Sequence, residues 1–186
     1  SHEHAAPGQP VWVQGLAAMP LSHRLAVISA DRCLTFYDLF TFEAVGRVTQ
    51  LPHAPSALVV ATFTEPTPGH QVLAMGDLGG VVRIVKLAKD FALDTFSESA
   101  APGTGPGAPL RGRGVLASAC DCLHTDWIVA AKWIDLLELL VTCSLDATVC
   151  LYDVHKLAPL RVFRGHRFGA RDSVWCHAPK FMASCR

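Results

Sequence analysis

The sequence has 186 residues, of which 51% are hydrophobic, and its 16 basic and 16 acidic side chains give a net charge of zero. Because we see no dense cluster of Lys and Arg, this balance disfavours nucleic acid and anionic membranes as partners and favours other proteins. No uncharged apolar run approaches the ~20 residues that a membrane-spanning helix needs. The first ten residues lack the basic and apolar regions of a secretion signal. The chain begins with Ser1 and stops at Arg186 in a strand-like segment, so we expect a piece of a longer protein.

An odd number of cysteines without a secretion signal argues against a disulfide framework and predicts a reducing, cytoplasmic environment. Most of the seven lie in apolar segments, where a free thiol behaves as a small buried hydrophobe. Cys120, Cys122 and His124 have side chains suited to zinc, although a structural zinc site normally needs a second paired cluster. A zinc-binding module at these three residues remains an alternative. The seven are Cys33, Cys120, Cys122, Cys143, Cys150, Cys176 and Cys185.

Four short segments rich in apolar and β-branched residues predict strands within residues 4–48. The first begins at Val11, and the others are Leu25–Ser29, Cys33–Tyr37 and Glu43–Val48. Between the second and third segments, Asp31 follows Ser29 by two residues. A short carboxylate there can accept backbone N–H groups and close a tight hairpin.

The second unit, residues 53–96, repeats this order with strands predicted at Ala57–Phe63, Val72–Met75 and Val81–Val85. Asp77 and the glycines after it form the turn between the last two. Residues 97–114 are rich in Gly and Pro and predict a loop insertion. We favour a solvated insertion, since long surface loops cost little stability; the alternative is a partner-binding segment. Residues 115–119 predict a strand that closes the unit.

The third unit, residues 124–163, has the clearest pattern. Its predicted strands are Ile128–Ile134, Leu139–Ser144, Thr148–Tyr152 and Leu160–Phe163. His124 and His166 are 42 residues apart, within the ~40–45 residue period of a four-stranded repeat. A fourth unit, residues 166–186, starts in the same register, because Trp175 follows His166 at the spacing by which Trp133 follows His124.

The run from Ser144 to Asp153, SLDATVCLYD, followed by Gly165-His166, resembles the S-x-D-x-T-V-x-L-W-D and G-H signature of WD-repeat β-propellers. This resemblance implies an all-β fold whose blades are sheets of four antiparallel strands. The four units would form one partial propeller domain over residues 1–186, an incomplete ring of about three and a half blades.

In that family, a loop histidine, a strand serine or threonine, a hairpin aspartate and a tryptophan form a buried hydrogen-bond network within each blade. The resemblance assigns these roles in the third unit to His124, Ser144, Asp146 and Tyr152, which replaces the tryptophan. The corresponding residues elsewhere are Ser29, Asp31 and Tyr37 in the first unit, His53 and Asp77 in the second, and His166 in the fourth. Residues that recur with the fold are expected to be structural, so no catalytic, cofactor-binding or metal-binding residue is predicted.

The resemblance implies a non-catalytic scaffold that binds other proteins and needs no cofactor. The alternative from another class is an enzyme built on a propeller, with titratable side chains from different blades meeting at a central channel. Trp127, Trp133 and Trp175 are expected to pack between blades. A fainter resemblance to the large multi-propeller WD proteins of cilia and flagella adds a ciliary location to the cytoplasmic one.

Overall fold

A computed structural model of the chain describes residues 11–63, 69–94, 109–176 and 181–185, without the side chains of 173–176 and 181–185. The described residues form fourteen β-strands. Those same residues include no helix with the length and apolar character needed to cross a bilayer.

The strands form three four-stranded antiparallel sheets and one two-stranded sheet, each in the order of the chain. Blade one is β1 (Val13–Met19), β2 (Arg24–Ser29), β3 (Cys33–Asp38) and β4 (Ala44–Val48); blade two is β5 (Pro55–Phe63), β6 (His70–Asp77), β7 (Val81–Leu93) and β8 (Gly112–Cys122); blade three is β9 (Ile128–Ile134), β10 (Leu139–Ser144), β11 (Thr148–Asp153) and β12 (Ala158–Arg164); the fourth sheet is β13 (Asp172–Cys176) and β14 (Phe181–Cys185). The predicted all-β fold class, with blades of four antiparallel strands, is confirmed.

Consecutive blades pack face to face, because the strands of the middle blades are apolar on both faces. Three separate cores lie between the sheets. The first contains Met19, Phe36, Met75 and Phe91; the second contains Val72, Ile84, Ile128 and Tyr152; the third contains Val141, Val149 and Ala170. The first strand of each sheet lies beside the first strand of the next. Each blade therefore stabilises its neighbours as well as itself.

Blade two is larger than predicted, because β7 has 13 residues and β8 has 11. β8 begins at Gly112, inside the predicted loop, and it contains Cys120 and Cys122; residues 97–108 of that loop lie outside the described part of the chain. The far end of this hairpin folds over blade one. There the Phe91 ring lies edge-on to Phe36 at 5.1 Å, and Arg24 donates a 2.7 Å hydrogen bond to the Phe91 carbonyl.

Candidate functional site

The three blades share one backbone bond that aligns their turns. In each, the residue that opens the turn between the second and third strands donates its N–H to the carbonyl just before the first strand. The pairs are Ala30 to Trp12, Leu78 to Ala54 and Leu145 to Trp127, at 2.9, 3.0 and 3.0 Å. This alignment makes Asp77 the counterpart of Ser144, and Gly79 the counterpart of Asp146. The sequence prediction had matched Asp77 with Asp146, an alignment that differs from the structural one by two residues.

The buried network of blade three is centred on His124. Its Nδ1 lies 2.8 Å from Thr148 Oγ1 and its Nε2 lies 2.8 Å from Thr142 Oγ1. Thr148 donates its hydroxyl proton to Asp146 Oδ1 at 2.6 Å, so its oxygen must accept from His124. The ring therefore carries its proton on Nδ1, and Nε2 accepts from Thr142. Every polar atom in this chain of bonds has a partner, as burial requires.

Electrostatics keep the histidine neutral and the aspartate charged. Burial lowers the pKa of His124, and the nearby Asp146 carboxylate opposes this shift only in part. Burial by itself would raise the pKa of Asp146. Hydrogen bonds from Thr148 and from the Thr125 backbone outweigh that effect and hold the pKa of Asp146 below its ordinary value.

Ser144 and Tyr152 do not occupy the places that the resemblance assigned to them. Ser144 Oγ donates to the Asp126 carbonyl at 3.0 Å and accepts from the Asp146 N–H at 3.1 Å, so it holds the turn. The strand hydroxyl that reaches His124 belongs to Thr142, two residues before Ser144 on β10. Sequence reasoning missed Thr142, although it is the other hydroxyl residue of that strand.

Tyr152 joins two blades and does not complete the network within one. Its side chain is buried, and its hydroxyl donates to the Asp121 carboxylate on β8 of blade two. Burial and then the hydrogen bond to Asp121 raise the pKa of Tyr152, so the phenol stays protonated and able to donate. No pattern within the repeat points to Asp121, since it lies 31 residues from Tyr152 on another sheet.

Blade two replaces the histidine network with an ion pair. Asp77 Oδ2 lies 2.5 Å from Arg83 Nη1, and each of the two side chains is only 1% exposed. Asp77 Oδ1 accepts the N–H groups of Gly79 and Val81, which closes the turn. His124 lies three residues before the aligned carbonyl of Trp127, and Leu51 lies three residues before that of Ala54. The fully buried Leu51 therefore takes the place of the histidine in blade two.

His53 was predicted to face Asp77, and the structure places it elsewhere. Its side chain is exposed and lies over the turn, where any side chain on Gly79 would collide with the imidazole ring. His166 occupies a half-buried position in the loop before β13.

Blade one has a third arrangement at the same turn. Ser29 Oγ donates to Asp31 Oδ1 at 2.5 Å, and Asp31 pairs with the largely exposed Arg47 at 2.8 Å. Tyr37, the counterpart of Tyr152, is 37% exposed on the face of blade one that is turned away from blade two. The residue proposed to begin this unit, His4, lies outside the described residues. Among the described residues, Ser29 and Asp31 therefore bond to each other and to Arg47, and not to a histidine as the resemblance implied.

The zinc alternative does not fit the geometry of the described residues. Both ring nitrogens of His124 are engaged by threonine hydroxyls. In residues 11–63, 69–94, 109–176 and 181–185, no three His, Cys, Asp or Glu side chains are grouped so as to hold a metal ion. Cys120 is half-buried, and burial raises the pKa of its thiol, which disfavours the thiolate that binds zinc.

Large aromatic side chains are exposed at the rim where the first strands begin. Trp12 is 80% exposed and Trp127 is 50% exposed, and their carbonyls occupy the aligned positions of blades one and three. Trp127 was expected to pack between blades, so the structure differs here. Trp133 does pack between blades, edge-on to Phe63 at 5.3 Å. The side chain of Trp175 lies outside the described residues.

Comparisons with known proteins support this architecture. No family model matches the sequence, and a search of curated proteins finds no match. A chain in the crystal structure of the mitotic checkpoint complex is similar in fold, with a TM-score of 0.62 and 12% identity over 94% of this chain and 44% of that one. The structure of U3-55K is similar as well, with a TM-score of 0.62 and 12% identity over 88% of this chain and 42% of that one. These likenesses show a WD-repeat, propeller-like fold, and this chain spans less than half the length of either structure.

Proposed function

We propose that the chain is part of a non-catalytic scaffold that binds other proteins through the rim bearing Trp12 and Trp127, which we call the tryptophan rim. The observation that carries this proposal is the exposure of two tryptophans at aligned positions of two blades. Exposed tryptophan is enriched among the residues that dominate binding energy at protein interfaces. The aligned carbonyls beside both side chains are held by the blade turns, so the two rings are presented on rigid backbone.

The opposite rim also exposes aromatic residues, but for a different reason. Phe42 lies in the β3–β4 turn of blade one, and its counterpart in blade three, Leu157, packs against the core shared with blade two. The exposure of Phe42 thus follows from the lack of a sheet against that face of blade one in the described part of the chain. Trp127, by contrast, is exposed although blade three has a sheet on each side. This difference favours the tryptophan rim as the binding surface.

The enzyme alternative finds little support at the innermost strands. β1, β5, β9 and β13 contribute only two charged residues, Lys132 and Asp172, and these pair with each other at 2.6 Å. We also propose a reducing, cytoplasmic location, which the five free thiols among the described cysteines support.

The experiment compares proteins that copurify with the full chain and with a Trp12→Ser/Trp127→Ser variant. We expect the variant to lose a defined set of partners while its melting temperature stays close to that of the wild type, because both side chains are exposed. A Phe40→Ser/Phe42→Ser variant is the matched control on the opposite rim and should keep those partners. Retention of every partner by the tryptophan variant would contradict the proposal.

A further inference from the structure

The chain has zero net charge and no dense cluster of Lys and Arg, but one segment carries spaced positive charges without any acidic residue among them. No Asp or Glu lies between Asp153 and Asp172, while five cationic side chains do. We call these five residues the basic edge: Lys156, Arg161, Arg164, Arg167 and Arg171. A surface of one sign attracts a partner of the opposite sign and speeds its association.

The basic edge follows the outermost strand of blade three and the loop after it. β12 is the last strand of its sheet, so one side of its backbone has no neighbouring strand among the described residues. Lys156 pairs with Asp153 at 3.2 Å, but the four arginines form no ion pair with any described acidic residue. All four are exposed. Their charge is therefore available to a partner.

The outer strands of the other two blades are different. In blade one, Arg47 on β4 is neutralised by Asp31. In blade two, β8 carries one acidic residue, Asp121, besides Arg113. Only β12, among these three strands, combines an unpaired edge with an excess of positive charge.

Apolar side chains lie beside the arginines along β12. Leu160 is 55% exposed and Val162 is 37% exposed, next to Arg161 and Arg164. The Arg161 guanidinium lies over the Phe163 ring at 5.3 Å, which holds that charge at the surface of the strand. The pairing of β12 with β11 is regular from Arg161 to Arg164 and shifts only beyond them, towards Pro159. A regular stretch of four residues is thus open to pairing.

We propose that the basic edge binds an extended acidic segment of a partner protein, which adds as a strand alongside Arg161–Arg164. Backbone hydrogen bonds along an open sheet edge supply affinity, and alternate side chains supply specificity. Carboxylates of the incoming strand would meet the arginines, since Arg binds carboxylates with two parallel hydrogen bonds. Apolar residues between those carboxylates would cover Leu160 and Val162. The same arginines repel a second copy of β12, so the edge is protected from self-association.

The test follows, by fluorescence anisotropy, the binding of the full chain to a fluorescein-labelled Glu–Val peptide that repeats Glu-Val-Val. Glu residues three apart lie on opposite faces of a strand, as Arg161 and Arg164 do. We expect saturable binding that weakens as the ionic strength rises to about 0.15 M. A Lys–Val peptide of equal length should not bind. An Arg161→Glu/Arg164→Glu variant should bind the Glu–Val peptide at least about tenfold more weakly, because two attractive contacts become repulsive.

The matched control is Lys89→Glu/Arg111→Glu, which changes the net charge equally at exposed positions of the β7–β8 hairpin. It should bind the peptide like the wild type. Equal weakening in both variants would mean attraction by total charge alone, and would overturn the proposed site. Tighter binding of single-stranded oligothymidine or of phosphatidylserine vesicles than of the peptide, lost in the β12 variant, would instead assign the edge to nucleic acid or membrane.

A second peptide, N-methylated at every backbone nitrogen, tests strand addition itself. It keeps every carboxylate but cannot donate the backbone hydrogen bonds of an added strand, so we expect it to bind at least about tenfold more weakly. Equal affinity of the two peptides would overturn strand addition. The tryptophan-rim variant should bind the Glu–Val peptide normally, which separates this surface from the one proposed above.

Discussion

Blades two and three close the same turn with different polar groups. Blade three uses a neutral histidine between two threonines, beside a charged aspartate. Blade two has Leu51 in the place of the histidine, and it buries an ion pair between Asp77 and Arg83. The aligned backbone bond is nevertheless 3.0 Å in both blades.

This difference shows that the turn requires satisfied polar atoms more than it requires particular residues. Asp77 stands two residues earlier than the family aspartate would, yet it accepts the same kind of backbone N–H bonds. Because the Asp77 carboxylate of blade two lies deeper in the strand, it is fully buried, and Arg83 beside it neutralises its charge. A buried charge is tolerated only when it is paired.

The largest effect is expected from breaking the ion pair in blade two. Arg83→Met leaves the Asp77 carboxylate buried without its cation, and such a loss costs about 3–5 kcal/mol of the free energy of unfolding. The comparable truncation in blade three, Asp146→Ala, removes one partner from a network with a neutral ring and should cost only about 1–3 kcal/mol. Urea unfolding of the two variants measures the difference.

A double variant provides the control for that comparison. Asp77→Asn/Arg83→Met removes both charges but keeps an amide oxygen for the N–H groups of Gly79 and Val81. It should recover most of the stability lost in the single variant, because a buried pair can be replaced by neutral groups at little cost. Equal losses for Arg83→Met and Asp146→Ala would show that the two turns depend on their polar groups to the same extent.

A smaller effect is expected from cutting the bond that joins the two blades. Tyr152→Phe leaves the Asp121 carboxylate without a hydroxyl donor and should lower the free energy of unfolding by about 1 kcal/mol. Tyr37→Phe is the matched control, since Tyr37 is 37% exposed in blade one and water can replace its contacts. If both changes are neutral in thermal unfolding, Tyr152 contributes only its volume to the core.

The smallest effect, a dependence on pH, sharpens the comparison because blade three has a buried histidine and blade two has Leu51 in its place. Burial lowers the pKa of His124 in the folded chain. As pH falls below the unfolded value of about 6.5, the unfolded chain therefore binds a proton that the folded chain resists, and stability decreases. Asp146 titrates below its ordinary pKa, so it adds nothing in this range.

Urea unfolding at about pH 7.5 and about pH 5 measures this dependence. The wild type should lose more stability between the two pH values than His124→Leu, which copies the residue of blade two. A pH dependence unchanged by the substitution would mean that His124 is not the group responsible.

Local pattern predicted the strands well where the repeat is regular. β9 and β10 have the predicted bounds. The prediction was poorest for the hairpin of blade two. There β7 continues to Leu93, which pairs with Gly112 across residues 94–111. Pairing over so long a connection depends on contacts with blade one, such as that of Phe91 with Phe36, and no short window contains them.

The residues of the candidate site were likewise predicted only in part from the sequence. The repeat spacing placed His124 and Asp146 in one blade, because residues at fixed offsets in a hairpin recur with the fold. It did not distinguish Thr142 from Ser144, since both are hydroxyl residues two apart on β10 and only the three-dimensional contacts show which one reaches His124.

The sequence by itself determined an all-β repeat with a polar turn in each blade, because alternation along strands and turn chemistry are local properties. Only the tertiary structure decided that Tyr152 bonds to Asp121, that Arg83 neutralises Asp77, and that Trp127 faces solvent. Each of these outcomes depends on which side chain a neighbouring strand or sheet brings within about 3 Å, the range of a hydrogen bond. That distance is set by the packing of whole blades and not by the order of residues in any one of them.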